Sequence, residues 1–121
     1  MKIEAVKRVL VIGAGTMGHQ IGFLCAVHGY DVIVYDVDPA ILAASRQRID
    51  RMADRFIAAR RLTLEEKASV LDRVAYSTDA QTAAADADIV TESVPEDPDL
   101  KAEIFARFNR LCPQRTCQIF G

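Results

Sequence analysis

The sequence predicts a single α/β domain over residues 1–121, a doubly wound parallel sheet of about five strands with a two-helix insertion after strand two. Three observations predict it. Two short apolar runs, 9–12 (VLVI) and 32–35 (VIVY), are unbroken, as in strands buried on both faces, and lack the alternation of a half-exposed sheet. A segment at helical spacing separates them. Between the first run and that helix stand Gly13, Gly15 and Gly18 in the spacing G-x-G-x-x-G, followed by Asp36 at the end of the second run.

The glycines have separate tasks. Gly13 permits the tight turn out of strand one, Gly15 lets the backbone approach a pyrophosphate, and Gly18 lets the helix pack closely on the sheet. The helix start presents unpaired backbone N–H groups and its positive dipole end, so Gly13, Ala14, Gly15, Thr16, Met17 and Gly18 form an expected phosphate turn that needs no Lys or Arg. The helix carries Met17, Ile21, Leu24, Cys25 and His28 on one face, with a row of small residues, Gly18, Gly22 and Ala26, beside it. Gly29 stops it. Asp36 stands where a carboxylate accepts hydrogen bonds from an adenosine ribose, and it would repel a 2'-phosphate. Val37, Asp38 and Pro39 supply no Arg to attract one, so the expected cofactor is NAD rather than NADP. FAD uses the same turn and stays open on these residues alone.

Residues 39–73 read as two helices where one crossover helix would suffice. Asp38 caps the first, with Pro39 in its first turn, and Ile41, Ile49, Met52, Phe56 and Ile57 give it an apolar stripe. Arg46, Arg48, Arg51 and Arg55 lie along the rest of its surface, as a solvated basic face or a contact for an anionic substrate. The break falls near Arg60, Arg61 and Leu62, and Thr63 with Glu66 forms a capping box for the second helix. Residues 73–77 then read as a third strand, 80–85 as a small helix and 88–94 as a fourth strand. Asp97 and Pro98 begin a further helix through Ile104, Phe105, Phe108 and Leu111, closed by Pro113, and 117–120 form a fifth strand.

Half of the residues are hydrophobic and the formal charge is −2, which suits one soluble core and disfavours nucleic acid or an anionic membrane as partner. No apolar run approaches the roughly 18 residues of a membrane helix. Strand one begins after only MKIEAVK, leaving no room for a signal peptide, so a cytoplasmic location is expected. Cys25, Cys112 and Cys117 lack C-x-x-C spacing and read as packed or partly exposed thiols, with neither a metal site nor a disulfide framework expected.

The order GAGTMG, YDVDP, two-helix insertion and DADIVTESVPEDPDLK resembles, along essentially the whole chain, the N-terminal NAD-binding domain of the L-3-hydroxyacyl-CoA dehydrogenases, including the 3-hydroxybutyryl-CoA dehydrogenases. The glycine turn is shared with many Rossmann-type proteins, whereas V-P-E-D-x-x-x-K after strand four is more specific to this group. The resemblance implies that Gly13 to Gly18 hold the phosphates and Asp36 the ribose, and that Glu96 and Lys101 line the nicotinamide end. It also implies that Ser45 touches coenzyme A, although the lysine the family often carries two turns later is Met52 here. In the family, a sixth strand with the catalytic histidine and a helical domain follow. These complete the acyl-CoA site and the dimer, and both are absent from residues 1–121.

Oxidising a 3-hydroxyl requires a base for the hydroxyl proton while hydride leaves for the nicotinamide. The only two histidines are His19, expected to face solvent in the first helical turn, and His28, expected at the negative helix end. Neither is a credible base, and Glu92 and Glu96, near the right crevice, are weak ones without a substrate pocket, so no catalytic residue is expected here. Two readings follow. One is the cofactor half of an NAD-dependent 3-hydroxyacyl-CoA dehydrogenase of fatty-acid metabolism, or of a related two-domain hydroxyacid dehydrogenase, expected to self-associate through an uncovered sheet edge. The other is a free-standing NAD-binding module or sensor without turnover.

Overall fold

The computed structural model describes residues 7–92, 98–112 and 117–120. Five strands alternate with five helices: β1 (Arg8–Ile12), α1 (Thr16–Val27), β2 (Asp31–Tyr35), α2 (Pro39–Ala58), α3 (Leu64–Asp72), β3 (Val74–Ser77), α4 (Ala80–Ala84), β4 (Ile89–Glu92), α5 (Pro98–Leu111) and β5 (Cys117–Phe120). The sheet order is β3-β2-β1-β4-β5 and every pairing is parallel. The order reverses beside β1, which pairs Ile12 with Tyr35 of β2 on one side and with Glu92 of β4 on the other. A ligand crevice opens at such a switch point, beyond the carboxyl ends of the strands.

Successive strand residues point to opposite faces, and both faces are covered. Val9, Val11, Val32 and Val34 pack with Phe23, Leu42, Ile49 and Ala53 beneath α1 and α2. Leu10, Ile12 and Tyr35 pack with Ala83, Val90 and Phe108 beneath α4 and α5. The unbroken apolar runs thus reflect two cores rather than one. Phe23 meets Phe56 edge-on at 4.9 Å in the first, and Tyr35 meets Phe108 at 5.3 Å in the second. Asp88, buried ahead of β4, accepts backbone hydrogen bonds from Lys7 (2.9 Å) and Arg8 (3.0 Å) and fixes the entry of β1.

The insertion is two helices, as expected. Asp38 caps α2 through Ala40 N–H at 2.9 Å, and Thr63 and Glu66 close their reciprocal capping box on α3. Arg60 turns the chain between them in the left-handed region (φ 59°). Lys67 of α3 bonds Asp54 (2.7 Å) and Asp50 (3.1 Å) of α2, holding the helices as a pair.

Two helix faces differ from expectation. In α1 the row of small residues meets the sheet: Gly18, Gly22, Phe23 and Ala26 are buried, while Met17 and Leu24 are 61% and 45% exposed. Close packing selects the small row, because a Cβ on Gly22 would already stand 3.4 Å from Val34. In α2 the inward stripe is Leu42, Ser45, Ile49 and Ala53, with Met52, Phe56 and Ile57 partly buried, and Ile41 lies outside it. β4 is described over Ile89–Glu92, and the end of the expected strand falls in residues 93–97, which lie outside the described residues.

Candidate functional site

The glycine turn and Asp36 meet at the carboxyl ends of β1 and β2. Gly13, at φ 95°, donates its N–H to Tyr35 C=O at 2.8 Å, so the turn leaves β1 while still tied to β2. Gly18 closes against it: a Cβ there would lie 1.8 Å from Gly13 O. Gly15 differs, since a Cβ there would meet nothing within 4 Å. Steric fit therefore requires Gly18, whereas the glycine at 15 leaves space open beside the start of α1. Helix geometry leaves the first-turn amides of Thr16, Met17 and Gly18 without intrahelical carbonyls, so an anion seated in that space meets N–H donors and the positive end of the dipole.

Asp36 is half-buried and already oriented. One carboxylate oxygen accepts Ala14 N–H at 3.1 Å and the other accepts Asp38 N–H at 3.1 Å. Each oxygen keeps lone-pair capacity for a further donor, such as a ribose hydroxyl. The first bond also commits the Ala14 amide to the protein, and the Ala14 side chain is fully buried. Of the expected phosphate turn, the Ala14 amide is therefore already engaged, and the open donors lie beyond it.

Beyond Asp36 a cleft of ≈ 390 Å³ continues between the β2–α2 junction and α5, lined among others by Gly13, Asp36, Val37, Ile41, Ile104 and Phe108. A larger groove of ≈ 490 Å³ at the β3 edge is bounded by Arg46, Asp50, Arg51, Leu71, Val74 and Tyr76. It touches neither the glycine turn nor a switch point, and the Arg46 guanidinium is stacked at 4.7 Å over Tyr76. Burial pushes the Tyr76 phenol up, with Arg46 pulling the other way. The smaller cleft is the one continuous with the turn and Asp36.

Other expected site residues fare differently. Glu96 lies outside the described residues, and Lys101 lies in α5 with its side chain outside them, as does the side chain of Thr16. Met17 is exposed at the helix start. Ser45 is fully buried on the inward stripe of α2. Its hydroxyl points into packed core, so this surface does not present it to coenzyme A. His19 does not face solvent: it is buried at 7% exposure, with Nδ1 3.0 Å from Gly15 O, bracing the turn. His28 is the exposed C-cap of α1. Glu92 is buried at the end of β4, opposite Ile12. Burial raises the thiol pKa values of Cys25 and Cys112, which are free and stay protonated at neutral pH. Sequence reasoning missed Glu103 and Arg107, which line the cleft one helical turn apart. Their spacing on α5 was visible in the sequence, but not which face α5 turns to the crevice.

Residues 8–119 match the family model described as the 3-hydroxyacyl-CoA dehydrogenase NAD binding domain. The chain belongs to that family. It is 35% identical over 108 residues to a 3-hydroxybutyryl-CoA dehydrogenase of Mycobacterium tuberculosis, covering 89% of this chain and 37% of that protein. It is 34% identical over 111 residues to the 3-hydroxyadipyl-CoA dehydrogenase of Escherichia coli, covering 92% of this chain and 23% of the relative. The crystal structure of M. tuberculosis FadB2 superposes with a TM-score of 0.92 at 32% identity, over 96% of this chain and 41% of that one. The chain thus spans well under half the length of these relatives. NAD is the cofactor of the family domain. The residues fit it, with an open cradle at Gly15, first-turn amides and an oriented acceptor at Asp36.

Proposed function

We propose that these residues are the cofactor half of an NAD-dependent dehydrogenase that oxidises an L-3-hydroxyacyl-CoA to the 3-oxoacyl-CoA. The observation that carries the proposal is the joint geometry of Gly15 and Asp36 at the switch point, an open phosphate cradle in the β1–α1 turn and a fixed ribose acceptor just past β2, tied to that turn through Ala14 N–H. Gly15 and the amides of Thr16, Met17 and Gly18 hold the pyrophosphate, Gly13 and Ala14 shape the turn, and Asp36 holds the adenosine ribose. Glu96 and Lys101 are the E and the K of the specific V-P-E-D-x-x-x-K segment and serve the nicotinamide end. NAD supplies the hydride acceptor. The residues here would bind and orient it.

The acyl-CoA class rests on relatives named for 3-hydroxybutyryl-CoA and 3-hydroxyadipyl-CoA. The proton acceptor lies outside residues 1–121, because His19 is used within the turn and His28 caps the far end of α1. We place the protein in the cytoplasm as a homo-oligomer. The net charge of −2 disfavours nucleic acid or an anionic membrane as partner, and no described helix is long and apolar enough to cross a membrane. Calorimetry and an assay following NADH at 340 nm test the proposal together. The 121-residue polypeptide is expected to bind NAD and leave 3-hydroxybutyryl-CoA unreacted, whereas the gene product read beyond Gly121 oxidises it. NAD binding without turnover by the complete gene product would favour the free-standing module.

A further inference from the structure

The cleft beside Asp36 has a lining that a ribose does not need. The space beside Asp36 is lined by Val37 and Ile41 from the β2–α2 junction and by Ile104 from α5, and a base attached to a ribose held by Asp36 would have this space open to it. Val37 and Ile41 are 73% and 39% exposed, large apolar side chains left in solvent at the rim, as a flat aromatic ring between two walls requires. Apart from Asp36, the charged side chains lining this space are Glu103 and Arg107.

Those two charges are one turn apart on α5, a spacing that often serves only to pair a helix surface. Among the described residues no ion pair joins them. Arg107 acts instead on Asp79, the N-cap of α4, within whose electrostatic reach it lies. Glu103 lines the cleft, and among the described residues no hydrogen bond or ion pair engages its carboxylate. Resting on the dinucleotide reading above, we infer that Glu103 is a specificity-determining residue for the base, its carboxylate accepting the hydrogen bond of a purine 6-amino group. The site then distinguishes adenine from a 6-oxo purine, because a carboxylate facing a carbonyl sets acceptor against acceptor.

Binding of NAD and of nicotinamide hypoxanthine dinucleotide, which differ in the 6-substituent and in the N1–H that accompanies the 6-oxo group, tests this by calorimetry on the wild-type chain and on Glu103→Gln. The wild type is expected to bind NAD about fivefold more tightly, the modest ratio of one exposed charge-assisted hydrogen bond. In Glu103→Gln the amide rotates to suit either base, and the ratio is expected to fall close to one. Far-UV circular dichroism verifies the fold of this exposed variant. Equal affinities in the wild type, or an unchanged ratio in Glu103→Gln while NAD still binds, overturns the role of Glu103 and leaves the NAD site standing. A folded wild-type chain that binds neither dinucleotide overturns both.

Discussion

Gly15 and Gly18 stand three residues apart in one motif and do opposite work. A Cβ at 18 would collide with the Gly13 carbonyl, whereas a Cβ at 15 projects into open space from a backbone at φ −71°, which any residue adopts. Gly18→Ala is therefore expected to destabilise the fold by about 3 kcal/mol, the upper end of overpacking costs, measured by urea denaturation. Gly15→Val should leave that denaturation midpoint nearly unchanged and abolish detectable NAD binding, since the added carbons fill the cradle. Equal effects of both on stability would refute the division. Asp36→Ala is expected to weaken NAD by about 1–3 kcal/mol and to narrow discrimination against NADP, as read by calorimetry with both cofactors. The glycines and Asp36 were legible in the sequence because their tasks are local to one turn. His19 and Ser45 were not, because whether a polar side chain is buried depends on what packs over its helix.

Elements carry the same distinction between what is local and what is docked. Caps depend on a few neighbouring residues, and Asp38 on α2 and the Thr63–Glu66 box on α3 stand where the sequence puts them. Thr63→Ala is expected to cost about 1 kcal/mol in thermal or urea unfolding. The face a helix buries is a tertiary choice: α1 turns its glycines and Ala26 inward despite the apolar row of Met17 and Leu24, since only small side chains let it approach β2. On α4 the Asp79 cap adds a pH dependence. Its carboxyl is held below the usual 3.8, chiefly by the Thr82 hydroxyl, with help from the Gln81 amide and the Arg107 charge. A carboxyl whose folded pKa is depressed stabilises the fold above its unfolded pKa, and that contribution is lost as pH falls through the folded value. Asp79→Asn keeps a good capping group, so it is expected to flatten the acid limb of the stability profile below pH 3.8 while changing little at pH 7. An unaltered acid limb would remove Asp79 from that role.

At the scale of the molecule, the sheet order β3-β2-β1-β4-β5 leaves two outer strands, and their surroundings differ. Beside β3 stand Arg46 and Arg51, with the Arg46 guanidinium stacked on Tyr76, and charged side chains at a strand edge oppose pairing with another chain. β5 (CQIF) pairs with β4 on one side only, through Ile89–Cys117 to Glu92–Phe120, and carries no charged residue in its own run. Strand edges of that kind template association, and β5 bears the stronger tendency of the two. The 121-residue polypeptide is therefore expected to sediment as species larger than a monomer at high concentration, and Gln118→Lys, which places a charge on that strand, to shift the distribution back toward monomer. Gln118 is not among the residues lining the cleft beside Asp36, so the variant's calorimetric affinity for NAD is expected to match the wild type. A clean monomer at every concentration, or association that Gln118→Lys leaves intact, would locate any self-contact away from β5.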